Sequence, residues 1–255
     1  MSSWASYPSL KGRSVLVSGG GSGIGAQIVR RFCGQGCKVA FIDIDRGSSE
    51  ELLGALANEG MPAPLFLPCD LRDIEALREA IRQAGEVNGP ITVLVNNAAR
   101  DDRHAFDTVT PEFWDERFAV NLKHQFFAAQ AVYPMMKQAG GGSVINMGST
   151  SWMVGMGGLA AYTAAKSAVV GLTRSLARDW GPDNIRVNSL APGWILTERQ
   201  RKLWLNAEGK QELMTRQCIK RELEPDDVAR VVLFLAADDS AAMTNQSYIV
   251  DGGWL

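Results

Sequence analysis

A phenol and an ammonium stand four residues apart in the run Tyr162-Thr163-Ala164-Ala165-Lys166. On a helix that spacing puts both side chains on one face. A positive charge beside a phenol favours the phenolate and draws its pKa down from the free value of about 10. Such a tyrosine can take the proton of an alcohol as it is oxidised, or give one to a carbonyl as it is reduced. Ser149, thirteen residues earlier, offers a hydroxyl to hydrogen-bond the reacting oxygen. The plain alternative is a tyrosine and a lysine paired on an exposed helix.

An alcohol oxidation also needs a hydride acceptor, and a second constellation suits one. The apolar run Val15-Leu16-Val17 leads into Ser18-Gly19-Gly20-Gly21-Ser22-Gly23-Ile24-Gly25, followed by a helical pattern from Ala26 to Gly34. Glycines allow backbone conformations closed to other residues, and free N–H groups at a helix start favour a pyrophosphate. Gly19, Ser22, Gly23, Ile24 and Gly25 are therefore expected against a dinucleotide. Asp43 ends the next strand eighteen residues beyond Gly25, where an acid accepts hydrogen bonds from the adenosine ribose and repels a 2′-phosphate. NAD is the expected cofactor, with Arg46 the nearest cation that could favour NADP. A glycine turn of purely structural use, and an acid that merely caps a turn, remain the alternatives for these two features.

These groups must be positioned by a scaffold. Short β-branched runs alternate with amphipathic stretches along the chain. Ser14 to Ser18, Val39 to Asp43, Pro64 to Cys69, Thr92 to Val95, Ser143 to Met147, Arg186 to Leu190 and Tyr248 to Val250 read as strands. Strands without polar alternation are buried on both faces, which requires a parallel sheet covered by helices. Right-handed crossovers then give a doubly wound, Rossmann-type α/β fold with seven strands in the order 3-2-1-4-5-6-7. One domain over residues 1–255 is expected, since 255 residues are ample for a single α/β core and few for two. The charged, mostly helical segment 197–224, placed after a strand's carboxyl end, reads as a substrate lid.

Composition narrows the partners. Lys and Arg (26) nearly balance Asp and Glu (28) without a basic cluster, so no nucleic-acid footprint is expected. The beginning, Met1-Ser2-Ser3-Trp4-Ala5-Ser6-Tyr7-Pro8, shows no leader pattern, and the apolar runs are too short to span a bilayer, so a cytoplasmic protein without membrane contact is expected. Cys33, Cys37, Cys69 and Cys218 form no zinc-type pair and are expected to be buried thiols. Two histidines, His104 and His124, make a metal site or a Ser-His-Asp triad a poor expectation.

Further motifs follow the strands in order: Asn96-Asn97-Ala98-Ala99 after the fourth, Ser149 after the fifth, Tyr162 to Lys166, and Pro192-Gly193 after the sixth. With the glycine turn they resemble the short-chain dehydrogenase/reductase family over essentially the whole chain. The resemblance implies that Asn121, in Val120-Asn121-Leu122, holds a water in the proton relay and that Lys166 also grips the nicotinamide ribose. It further implies Asp70 and Leu71 at the adenine, Asn97, Ala98 and Ala99 beside the ribose, Pro192 and Gly193 among the cofactor contacts, and Ile195 with Thr197 at the carboxamide. Ser18 replaces the family's usual threonine, and Ala99 the last glycine of its Asn-Asn-Ala-Gly motif. Asn121 could instead serve a helix bend.

Within the family, Tyr7 to Gly12, Asp101-Asp102-Arg103-His104, Trp114 to Arg117 and Ser149 to Trp152 resemble bacterial D-xylose 1-dehydrogenase and related aldose 1-dehydrogenases, although Arg100 stands where an asparagine is expected. That resemblance implies oxidation of a pentose or hexose pyranose at C1 to the aldonolactone. Ser151, Asp102 and His104 could bind sugar hydroxyls, and Trp152 and Trp194 could stack on the ring. The alternatives are an ion-paired loop for the former group's charged members and ordinary packing for the tryptophans. Two rival functions stand beside this one. The first is an NAD-dependent dehydrogenase of a secondary alcohol in a sugar acid, polyol or hydroxyacyl compound, with Arg199 or Arg201 for a carboxylate. The second is a non-catalytic nucleotide sensor, against which Tyr162 and Lys166 argue. The family resemblance also implies a homotetramer.

Overall fold

The computed structural model describes residues 5–255; Met1 to Trp4, on which the expectation about a leader partly rests, lie outside the described residues. Seven strands form one parallel sheet in the order β3-β2-β1-β4-β5-β6-β7. They are β1 (Ser14–Ser18), β2 (Lys38–Asp43), β3 (Leu65–Pro68), β4 (Val93–Asn96), β5 (Gly142–Met147), β6 (Ile185–Pro192) and β7 (Ser247–Val250). The expected fold and strand order are both present. β6 runs two residues past its expected end because Ser189 to Pro192 pair with Ser247 to Val250, a long-range contact that local composition does not announce.

The sheet is apolar on both faces, and the period of two sorts its side chains. Val15, Val17, Val93, Val95 and Ile145 point to a layer made by α1 (Gly23–Gly34), α2 (Arg46–Asn58) and α9 (Pro225–Ala236). Leu16, Ile42, Leu94, Val144 and Val187 point to a layer made by α3 (Ile74–Asn88), α5 (His124–Gln138) and α6 (Ala160–Trp180). Each fully buried side chain of this size contributes about 1.5–3 kcal/mol, so the two layers hold the strands' register firmly.

Two local features shape the site. A π-helical turn at Ala119–Lys123 joins α4 (Pro111–Phe118) to α5 and contains Asn121. The expected lid is two helices, α7 (Glu198–Leu203) and α8 (Ala207–Arg216). Its base is pinned where Ile195 bridges Leu223 and Leu196 N donates to Leu223 O at 2.8 Å.

Two of the four cysteines depart from the expectation of burial. Cys33 and Cys37 are buried, and burial pushes both thiols up to about 12. Cys69 is half-buried and Cys218 is exposed. Cys218 sits on a surface return after α8 whose position is set by its backbone N–H bonding to Gly253 O at 3.1 Å, which leaves the side chain outside the core.

Candidate active site

The carboxyl ends of β1, β2, β4, β5 and β6 open into a single cleft of about 1230 Å³, placed where the strand order reverses between β1 and β4. Its wall runs from the glycine turn and Asp43 past Asn97, Ala98 and Ala99 to Ser149, Tyr162 and Lys166, and is closed by Trp194 to Arg201.

At one end the backbone itself is the binding surface. A Cβ on Gly25 would fall 1.8 Å from Gly19 O, and one on Gly21 would fall 2.6 Å from Ser49 Oγ, so the turn closes more tightly than any side chain allows. Gly19 and Gly23 hold positive φ values of 64° and 54°. Asn97 Nδ2 donates to Gly19 O at 2.8 Å, and Ser18 Oγ accepts from Asn97 N at 3.0 Å, so the β4 motif braces the β1 turn. The hydroxyl that Ser18 shares with threonine is thus in use. Asp43 Oδ2 accepts from Gly21 N at 2.8 Å and Oδ1 from Asp45 N at 3.0 Å. This acid caps its turn and also faces the cleft, so the two readings of it are compatible. A glycine cradle leading to a fixed carboxylate fits a dinucleotide. Asp70 and Leu71 line the cleft further out, with Asp70 held by the Arg72 guanidinium, which keeps its carboxyl below the ordinary value. Pro192, Gly193, Ile195 and Thr197 also line the cleft, as do Ser22 and Ile24 of the glycine turn. Thr197 Oγ1 caps α7 by accepting from Gln200 N.

At the other end α6 presents Tyr162 and Lys166 side by side, with Lys166 Nζ 5.8 Å from the centre of the phenol ring. Their ionisation differs from the expectation of a lysine-favoured phenolate. Burial pushes the phenol up to about 12, opposed by the Ser149 hydrogen bond, with Asp101 raising it further and Arg199 lowering it. Burial likewise pushes the Lys166 ammonium down to about 7, against the raising effect of Asp101. The physical reason is desolvation: Lys166 is 1% exposed, and its Nζ donates to Met147 O at 2.7 Å rather than to the phenol. Ser149 Oγ lies 3.0 Å from Ser151 Oγ and accepts from Ser151 N at 3.1 Å, so the two serines form one hydroxyl pair at the cleft.

Asn121 is fully buried and does not line the cleft. Both Nδ2 donors are used, to Arg100 O at 3.1 Å and Arg117 O at 2.9 Å, while Oδ1 accepts from Arg100 N at 2.9 Å. Its side chain therefore ties the loop after β4 to the π-helical turn.

Of the residues expected at the substrate, Ser151 and Trp194 line the cleft, and Trp194 Nε1 donates to Gln200 Oε1 at 3.1 Å. Asp102, His104 and Trp152 are not brought to its wall. Asp102 is bound by Arg117 at 2.6 Å, Arg199 at 2.9 Å and Arg100 at 3.0 Å, which is the ion-paired alternative. His104 Nε2 accepts from Ala161 N at 3.3 Å, capping the start of α6, while its ring stacks edgewise on Phe113. Trp152 stands on the surface.

Reading the sequence did not reveal the buried polar layer beneath the site. His124 Nε2 lies 3.1 Å from Ala98 O, and burial pushes this imidazole down to about 3, so it is neutral. Gln125 Nε2 donates to Asn121 O, and Asn96 Nδ2 to Asn146 Oδ1 at 2.9 Å. Polar residues at apolar positions of strands and helices were the available signal. Among the described residues no cluster of three or more His, Cys, Asp or Glu side chains could hold a metal ion, and no helix is long and apolar enough to cross a membrane.

Comparison with known proteins adds a consistent result. A family model described as enoyl-(acyl carrier protein) reductase matches residues 19–255. The chain is 52% identical over 247 residues to the "Probable galactose dehydrogenase GalD" of Rhizobium meliloti, covering 97% of this chain and 96% of that protein. It is 47% identical over 250 residues to D-xylose 1-dehydrogenase of Caulobacter vibrioides, covering 98% of each. A mutant Serratia marcescens short-chain dehydrogenase/reductase superposes with a TM-score of 0.88 at 34% identity, covering 96% of this chain and 99% of that one.

Proposed function

The chain belongs to the short-chain dehydrogenase/reductase family and is an oxidoreductase, and from that premise we propose that it uses NAD⁺ to oxidise an aldopyranose at its anomeric carbon to the aldonolactone. The observation that carries the reading is the joining, in one cleft, of a glycine cradle and Asp43 at one end to Ser149, Tyr162 and Lys166 at the other. The substrate class rests on the two sugar dehydrogenases that this chain matches at 52% and 47% identity.

When bound, NAD⁺ supplies the hydride acceptor and a positive charge. The chain's own groups handle the proton and the geometry. Tyr162 Oη takes the proton of the anomeric hydroxyl while the C1 hydride leaves, so the C–O bond becomes the lactone carbonyl. Ser149 Oγ turns its hydrogen to that oxygen and is held in place by the bond that it accepts from Ser151 N. Lys166 would bind the nicotinamide ribose, and the positive charge of the bound cofactor would bring the phenol, high in the protein alone, within reach of ionisation. Asn121 acts as a positioning residue for the loop after β4, and Asp43 selects NAD over NADP. Trp194 and Ser151, at the wall of the cleft, are the substrate-binding residues in this reading.

The rival reading, a secondary alcohol in a sugar acid, polyol or hydroxyacyl compound, asked for Arg199 or Arg201 where the substrate carries a carboxylate. Arg199 is bound to Asp101 and Asp102, and Arg201 to Glu222 and Glu224, which argues for a neutral substrate. We also infer a cytoplasmic homotetramer: exposed apolar side chains occur on α5 (Phe126), β7 (Ile249) and the C-terminal Leu255. The deciding experiment is a screen of purified protein against aldoses, polyols and sugar acids with NAD⁺, followed by NADH absorbance. Turnover of aldoses to lactones supports the assignment; turnover confined to polyols or acids overturns it.

A further inference from the structure

Asp101 lies in the loop after β4 and lines the cleft with a quarter of its side chain exposed. Its two oxygens are gripped from the lid: Oδ1 by the Arg199 guanidinium and Oδ2 by Gln200 Nε2 at 2.7 Å. Gln200 continues the chain of bonds through its Oε1 to Trp194 Nε1, and Arg199 continues it to Asp102, which is anchored on the buried Arg117. A carboxylate offers about four acceptor positions. Two are filled here, and the others are available on a side chain that lines the same cleft as Tyr162 and Ser149. The carboxylate is near enough to the catalytic pair for its charge to act on both Tyr162 and Lys166. Among the charged groups at this end, Arg199 is already shared between Asp101 and Asp102, and Arg103 lies over the Trp204 ring at 4.9 Å.

We propose that Asp101 is a specificity-determining residue whose carboxylate, preset by Arg199 and Gln200, accepts a hydrogen bond from a ring hydroxyl of an uncharged polyhydroxylated substrate and links that contact to the seating of α7. The inference rests on the sugar reading above and goes beyond it in naming the recognition group. Hydroxyl recognition by a fixed charged acceptor is selective because a substrate lacking the hydroxyl leaves the acceptor unpaired in a partly dry site. A carboxylate also suits a donor hydroxyl better than an amide does, since hydrogen bonds to an ionised acceptor are about twice as strong. The Arg199 partnership has a further consequence. It keeps the guanidinium from an incoming carboxylate, so the pair as a whole presents an acceptor without net charge.

The test compares wild type and Asp101→Asn on D-galactose, its monodeoxy analogues and D-galacturonate, which keeps the anomeric carbon but carries a carboxylate. In wild type one monodeoxy analogue should lose about 10-fold or more in kcat/KM. Asp101→Asn should raise KM for D-galactose by a similar factor, leave NAD⁺ binding by calorimetry unchanged, and erase the penalty for that one analogue only. It should also leave Arg199 with Asp102 as its one carboxylate partner of the two, and so raise the efficiency on D-galacturonate relative to D-galactose. The ionisation seen in the turnover profile should move to lower pH, since Asp101 raises the phenol. Equal deoxy penalties in wild type and variant, with an unmoved galacturonate ratio, would overturn the proposal. If Asp101→Asn does not fold, Arg199→Gln gives the opposite sign: galacturonate discrimination should sharpen because Asp101 loses its neutralising partner, and a weakened discrimination overturns the idea. Absence of turnover on every aldose by wild type would instead overturn the functional reading itself, and the two failures are thereby distinct.

Discussion

Lys166 should weaken the protein that it serves. Its ammonium is buried to 1% exposure, and burial pushes its pKa from 10.5 down to about 7. The unfolded chain keeps this proton up to about pH 10.5, whereas the folded chain releases it near 7. The cost of holding the charge inside is therefore complete below pH 7, about 5 kcal/mol at roughly 1.4 kcal/mol per pH interval, and vanishes as pH rises through 7 to 10.5. By the same relation the cost is about 4 kcal/mol at neutral pH and about 2 at about pH 9. Lys166→Met keeps the volume and removes the charge, at the loss of the bond to Met147 O, worth about 1 kcal/mol. The carbonyl of Met147 still accepts from Gln125 Nε2. The variant should then be more stable than wild type by about 3 kcal/mol at neutral pH and by about 1 at about pH 9, while losing hydride transfer. Urea unfolding of both proteins without cofactor, at one protein concentration and followed by tryptophan fluorescence, measures the difference. A Lys166→Met variant no more stable than wild type at neutral pH, or a difference that does not shrink toward pH 9, would refute the account of Lys166 as a charge held against its solvation.

Other expectations follow from the same geometry. Tyr162→Phe should bind NAD⁺ as wild type does, yet lose about 10²–10⁴-fold in kcat, since no proton acceptor remains at that position; retention of substantial turnover with the wild-type pH profile would mean that another group is the base. Wild-type oxidation should rise with pH through an ionisation well below the value of about 12 to which burial pushes the phenol in the protein alone, and a spectroscopic titration without cofactor should show no phenolate from Tyr162 below about pH 10. Gly25→Ala, whose Cβ would meet Gly19 O at 1.8 Å, should abolish NAD⁺ binding and cost about 1–3 kcal/mol of stability, and calorimetry showing unaltered affinity would exclude the cradle as the phosphate site. Asp43→Ala should narrow the ratio of kcat/KM for NAD⁺ over NADP⁺, and an unchanged ratio would assign cofactor choice to another residue.

Local sequence determined the scaffold. Val15-Leu16-Val17 and Val93-Leu94-Val95 alternate between two apolar layers, so their composition by itself required a parallel sheet covered on both faces. The glycine turn and Asp43 were legible for a related reason: close approach and a strand-end acid are properties of neighbours in the chain, set by backbone sterics over a few residues. Tyr162 and Lys166 were legible as a pair because helical geometry alone brings them to one face. Their ionisation was not, because desolvation depends on the layers that enclose them, and tertiary burial reversed the direction expected from two charges considered in isolation. The substrate end shows the same division. Asp101 and Asp102 are adjacent in sequence and chemically equivalent, yet one lines the cleft while the other is consumed by Arg117, Arg100 and Arg199. Arg117, fifteen residues on, and Arg199, nearly a hundred residues on, made that choice for Asp102, as Gln200 did for Asp101, because a carboxylate's role depends on which partners the fold brings to it and not only on its place in the chain.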